Sequence, residues 1–365
     1  MAEIDSDTPD IPPPPRKNPE LIGHGAAEAA LLDAWNSGRM AHAWMLCGPK
    51  GIGKATLVYR FARFALAGGG GGGLFGDAPN GLAMEPEDPV FRRVAAGGHA
   101  DMMTVTFSFD DKRKRWREEI VVDDVRALGP FMRLTASEGG WRVAVVDSAD
   151  NMNINAANAL LKILEEPTDK TLLLLVSHSP GRLLPTILSR CRRLTMRPLD
   201  EAQVTDFLSR HRPELDAGEA TALARLAEGS PGRALRLADA GGLALYGEMV
   251  EMLSAVDGLD VAGLHAMADR MARVNARDAF ATLMELLSQW LVRMVLAGAA
   301  GTTPNEVMAG EGAVVERLLA RASLEQWTEV WEKIGRLAAD VERINLDRKQ
   351  VVISAFNALE ATACN

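Results

Sequence analysis

At 365 residues, 47% of them hydrophobic but only 5% aromatic, the chain is long enough for two or three domains whose cores are built from Leu, Val, Ala and Met. A formal net charge of −9 argues against a protein that coats nucleic acid through its overall field. No apolar run approaches the ~18 residues of a membrane span, the start lacks an export-signal layout, and Cys47, Cys191 and Cys364 lie too far apart for a CxxC knuckle. A cytoplasmic chain with no membrane contact, no disulfide framework and no metal is expected.

Residues 1–20, rich in Asp and Pro and poor in apolar side chains, read as a disordered leader. Residues 26–36 place Ala, Leu and Trp at helical spacing. The apolar run 43–46 leads through a glycine-rich turn into a helix over 54–66. The glycine tract 68–73 and Pro79, Pro86 and Pro89 then read as a flexible insertion over about 67–100. Strand-like runs at 102–107, 142–146, 172–176 and 192–196 alternate with helical patterns, clearest at 122–135 and 156–166. Such alternation implies a parallel sheet covered on both faces. Beyond Pro198 come three short helices, 201–212, 217–228 and 232–240, a hinge at Gly241-Gly242, and only helical periods from 245 to 363. The expected organisation is an α/β domain over 21–198, a helical lid over 199–242 and an all-helical domain over 243–365.

Gly48, Pro49, Lys50, Gly51, Ile52, Gly53 and Lys54 match the first seven positions of the phosphate-binding loop G-x-x-x-x-G-K-[ST], between a strand and a helix as that loop requires. Its glycines let backbone N–H groups face phosphate oxygens, and the lysine reaches the β- and γ-phosphates. The eighth position, where a hydroxyl binds Mg²⁺, is Ala55; Thr56 is no simple substitute, because one helical step turns a side chain by about 100°. Both nucleotide binding and its loss stay open on these residues. Asp147 ends the apolar strand 143–146, where such folds place a carboxylate beside the metal. Ser148 follows it, and a neutral hydroxyl is a poor general base. Two defects in one site predict a chain that does not turn over ATP by itself.

Ser189-Arg190-Cys191 follows an apolar helix, and an arginine there can reach from the domain edge to a neighbour's γ-phosphate or simply form a surface ion pair. The basic run 112–117 with Trp116 inside it reads first as a solvated hairpin and second as a phosphate-contacting patch. The six histidines show no HxxxH or HExxH spacing.

The order GPKGIGK, VAVVDSADNMN, NALLKILEEP, SRC and GSPGRAL resembles the clamp-loader branch of the AAA+ family over residues 21–240. Within that branch, the missing hydroxyl at Ala55, the missing acid at Ser148 and the retained Ser189-Arg190-Cys191 are similar to the delta-prime subunits of bacterial DNA polymerase III rather than to the motor or delta subunits. The resemblance implies an AAA+ P-loop domain with a helical lid and a helical collar. It makes Arg190 an arginine finger acting in trans and Arg233 a second sensor of nucleotide. It implies motor (tau/gamma) and delta subunits as partners, with the sliding clamp and primed DNA reached through the complex. Many relatives carry a cysteine-rich zinc module after the loop helix; no cysteine stands there, so no zinc is expected. An active ATPase subunit and a stand-alone DNA-binding module are the rival readings.

Overall fold

The structure is a computed structural model that describes residues 12–69, 81–110, 112, 114–138, 140–303 and 305–364. The expectations for residues 1–11, for Gly70–73, for Pro79 and for Arg113 fall outside the described residues. The chain divides into two compact units, Met1–Arg212 with Gly229–Gly232, and Pro213–Glu228 with Arg233–Asn365.

In the first unit the strands are β1 (Ala43–Cys47), β2 (Met102–Val105), β3 (Phe109–Asp110), β4 (Arg115–Trp116), β5 (Arg142–Val146), β6 (Thr171–Ser177) and β7 (Arg192–Thr195). Five of them form one parallel sheet in the order β2-β5-β6-β1-β7, and β3 and β4 make a separate antiparallel hairpin. Trp44 stands opposite Leu174 of β6 and Arg192 of β7, so β1 lies between those two strands. Every residue of β1, β5 and β6 is buried, as a parallel sheet covered on both faces demands. The period of two splits β1 between two cores. Trp44 and Leu46 pack with α1 (Gly25–Asn36) and α2 (Lys54–Leu66), while Ala43, Met45 and Cys47 face the opposite cluster.

The first unit also holds α3 (Pro89–Ala95), α4 (Val122–Arg126), α5 (Leu128–Arg133), α6 (Ile154–Glu165), α7 (Pro185–Leu188) and α8 (Glu201–His211). The helix expected over 122–135 is broken at Ala127 into α4 and α5. Pro130 explains the break, since it has no N–H for the carbonyl four residues back and its ring collides with it. Residues 12–20, part of the expected leader, run along α2, with a 3-10 turn at Pro15–Lys17. The buried Arg63 donates to Arg16 O at 3.1 Å and Asn18 O at 2.9 Å, and Arg60 donates to Pro19 O. These guanidiniums supply partners that a Pro-rich segment cannot supply to itself. The region expected as a flexible insertion contains α3, N-capped by Asp88, with Phe91 and Val94 buried and the Leu82 N–H bonded to Glu28 Oε1 at 3.0 Å.

The second unit is all helical: α9 (Ala217–Ala227), α10 (Pro231–Asp239, whose first two residues belong to the first unit), α11 (Gly242–Ser254), α12 (Val261–Ala272), α13 (Arg277–Ala300), α14 (Glu311–Leu319), α15 (Leu324–Ile344) and α16 (Arg348–Cys364). α13 packs against α15 and α12 against α16, burying Trp290 and Trp327, the latter with its indole N–H on Leu318 O at 3.2 Å. Contrary to the expectation from apolar runs, α13 with its lead-in is long and apolar enough to cross a membrane by length and composition alone. Leu283, Leu287, Trp290, Leu291 and Met294 on it are buried in this unit's core. The two units do not coincide with the three segments expected, because α8 sits with the sheet and α9 with the C-terminal helices.

Candidate nucleotide-binding site

The loop after β1 takes the shape that its glycines permit. Gly48, Gly51 and Gly53 have φ of 147°, 79° and 109°, values that a residue with a Cβ rarely adopts. A Cβ on Gly48 would stand 2.4 Å from the Met196 carbonyl oxygen, so the loop closes against the chain leaving β7. Lys54, only 2% exposed, opens α2 and turns its ammonium onto the loop carbonyls Gly48 O at 2.6 Å and Pro49 O at 2.5 Å. Burial pushes its pKa down to about 8, against the opposing charges of Asp150 and Asp147. Ala55 and Thr56 occupy the next two positions of α2, and Ala55 brings no oxygen.

Asp147 follows β5 directly, its N–H bonded to Val105 O at 2.9 Å. Burial pushes its carboxyl up, with the Ser148 N–H and the Lys54 charge working the other way. Ser148 is left-handed at φ 64°, a sparsely populated conformation for a side-chain-bearing residue. Its Oγ stands 3.4 Å from His178 Nε2. Burial, then the Lys54 charge, lower the His178 pKa, and Asp150 raises it. Lys54, Asp147, Ser148 and His178 therefore gather at the carboxyl ends of β1, β5 and β6. Ser177, the last residue of β6, is fully buried with no hydrogen-bond partner on its hydroxyl among the described residues.

Three contacts here escaped sequence reasoning. Asp150 accepts the backbone N–H groups of His178 at 2.9 Å and Ser179 at 3.2 Å, tying the turn after β5 to the end of β6. His24 Nε2 lies 2.7 Å from Ile52 O. The segment Gly229–Gly232 latches onto the loop: Ser230 Oγ donates to Lys50 O at 2.8 Å, and the Gly232 N–H to Gly51 O at 3.0 Å. The only available signal was Asp150 in the run DSADN and Ser230 in GSPGR, and neither motif names its acceptor.

The two predicted arginines have ion-pair partners of their own. Arg190 follows α7 on the surface of the first unit, its guanidinium bonded to Thr186 O at 3.0 Å and paired with Glu165, the last residue of α6, at 3.0 Å. Arg233 belongs to the second unit, 7% exposed, with Glu285 at 3.1 Å and Glu228 at 3.6 Å as ion-pair partners there. Burial lowers its pKa, and both glutamates oppose that shift. Among the described residues no cluster of His, Cys, Asp or Glu is placed to ligate a metal.

Residues 23–200 match the family model described as "DNA polymerase III, delta subunit". The chain is 39% identical to DNA polymerase III subunit delta' of Pseudomonas aeruginosa over 54% of its own length and 56% of the relative's. It is 32% identical to subunit delta' of Escherichia coli K12 over 57% of each chain. A more distant match, 23% identical over 75% of this chain and 47% of the other, is subunit tau of Bacillus subtilis 168. The chain thus spans about half the length of the curated relatives it matches. Over residues 23–200, which carry the five-stranded parallel sheet and the glycine loop, the chain is similar to the delta' subunits of DNA polymerase III.

Proposed function

We propose that the chain works inside a DNA polymerase III clamp loader as a subunit that stimulates a neighbour's ATP hydrolysis without hydrolysing ATP itself. The observation that supports this reading is a glycine loop followed by Lys54 but without two of the groups a hydrolysing site uses. The loop's positive-φ glycines and Lys54 match a phosphate-binding pattern, but Ala55 offers no magnesium ligand and Ser148 no base. A nucleotide bound here would be held through the loop N–H groups and Lys54, as a structural element rather than a fuel.

Arg190 is the residue assigned to act in trans. Its charge is fixed, it stands on the unit's surface, and Glu165 and Thr186 O hold the guanidinium without burying it. The partners are motor subunits of the tau/gamma kind and a delta subunit, with the sliding clamp and primed DNA engaged through the assembly. The test is the clamp- and DNA-stimulated ATPase of a reconstituted loader. Arg190→Ala in this chain is expected to cut turnover at the neighbouring site by about 10³-fold, the low end for such fingers, and Lys54→Ala to change it little. The reverse pattern would show that this chain's own loop does the chemistry.

A further inference from the structure

The β3–β4 hairpin inverts the sign of this acidic chain. Residues 109–117 carry Lys112, Arg113, Lys114, Arg115 and Arg117 against Asp110 and Asp111. Phe109 and Trp116 face each other across the ladder, ring centroids 5.7 Å apart and nearly perpendicular at 79°. A cross-strand aromatic pair stabilises a short hairpin, which explains why the rings meet. It does not explain why they stay in water: Phe109 is 43% and Trp116 66% exposed.

The base of the hairpin is fixed. The Arg117 N–H bonds Ser108 O at 2.9 Å and its guanidinium pairs with Asp110 at 3.6 Å. Asp124 of α4 accepts from Ser108 Oγ at 3.3 Å and from the Val121 N–H at 3.0 Å, so the ribbon is tied to a helix of the sheet domain. The side chains of Lys112, Lys114 and Arg115 are exposed, and none has a carboxylate within ion-pair distance among the described residues.

We propose that this hairpin is a stacking platform for single-stranded DNA, with Trp116 and Phe109 taking unpaired bases and Lys112, Lys114 and Arg115 the adjoining phosphates. The pairing of ring faces with cations selects this occupant. Unpaired bases offer faces to stack and phosphates to neutralise. A duplex keeps its base faces inside its own stack and would use the cations alone. An acidic protein surface would also engage the cations but gives Trp116 no particular partner.

The full chain titrated into labelled oligo(dT) at low salt, followed by fluorescence anisotropy, tests the idea. Trp116→Ala is expected to weaken binding about tenfold, within the range for losing one stacked base, while Trp116→Phe keeps most of the affinity. Reversing Lys112, Lys114 and Arg115 to Glu should flatten the salt dependence by a slope of about 2, three phosphates at ~0.7 each. Wild-type affinity in Trp116→Ala overturns the proposal. So does a duplex bound as tightly as oligo(dT), or no binding to oligo(dT) at low salt. The outcome is independent of the Arg190 assay, because it is read on this chain alone without a neighbour's ATP.

Discussion

Gly229→Ala should cost far more than an ordinary glycine substitution. Its φ of +79° is a left-handed conformation, which charges a residue with a Cβ about 1–2 kcal/mol. The added Cβ would also stand 2.3 Å from Leu199 O, 2.5 Å from Pro198 Cβ and 2.8 Å from Leu199 N. Two of these are backbone atoms, so relief requires the segment to move, at about 1–3 kcal/mol for overpacking. A total near 3 kcal/mol corresponds to a loss of about 10 °C in Tm for a unit of roughly 200 residues. Gly38→Ala is the matched control in the same unit, with φ +67° and nothing within 4 Å of its Cβ; it should lose only about 3 °C, from backbone strain of ~1 kcal/mol. Because Gly229 begins the segment that bonds Lys50 and Gly51 of the glycine loop, the Gly232 amide should also exchange faster with solvent in Gly229→Ala. Equal melting shifts for the two variants, with unchanged Gly232 protection, would refute the reasoning.

Two further outcomes follow from buried charges. Asp101, paired with Arg142 at 3.2 Å and bonded by the Ser137 and Glu138 N–H groups, is fully enclosed; burial alone would raise its carboxyl, but these donors and Arg142 hold it below the ordinary range. Its ionised form therefore stabilises the fold above the unfolded pKa near 4, and that contribution is lost as pH falls through the lower folded value; Asp101→Asn should cost about 3 kcal/mol at neutral pH in denaturant melts and flatten the acid limb. Lys54 should titrate at about 8 in an NMR pH series, and Asp147→Asn should lower that midpoint further by removing an opposing charge. With the folded value below the unfolded 10.5, the unfolded chain binds more protons between them, so the Lys54 contribution to stability rises with pH from about 8 to 10.5.

Much of the site was legible because its parts are local. A glycine loop between strand and helix takes its shape from φ preferences within a few residues, and Gly48, Gly51 and Gly53 have positive φ just ahead of α2, which Lys54 opens. The burial of β5 and β6 was legible in the same way, as short runs of Val and Leu with no polar alternation. The break at Ala127 was available in Pro130 and was passed over because the apolar period continues through it. The order along residues 12–20 and in α3 was hidden, since a Pro-rich segment and a glycine-flanked loop carry no periodic signal. Their order comes from Arg60, Arg63 and Glu28, whose side chains reach across the fold.

The sequence by itself determined the P-loop, the alternation that yields a parallel sheet, the helical C-terminal half and the departures at Ala55 and Ser148, because each is a property of residue types at short range. Only the tertiary structure decided that Ser230 and Gly232 clasp the loop from 180 residues away, that Asp150 ties together the ends of β5 and β6, and that Arg190 rests on Glu165. Those contacts depend on which chain ends the sheet order brings side by side, and a hydrogen-bonding residue does not encode the address of its partner.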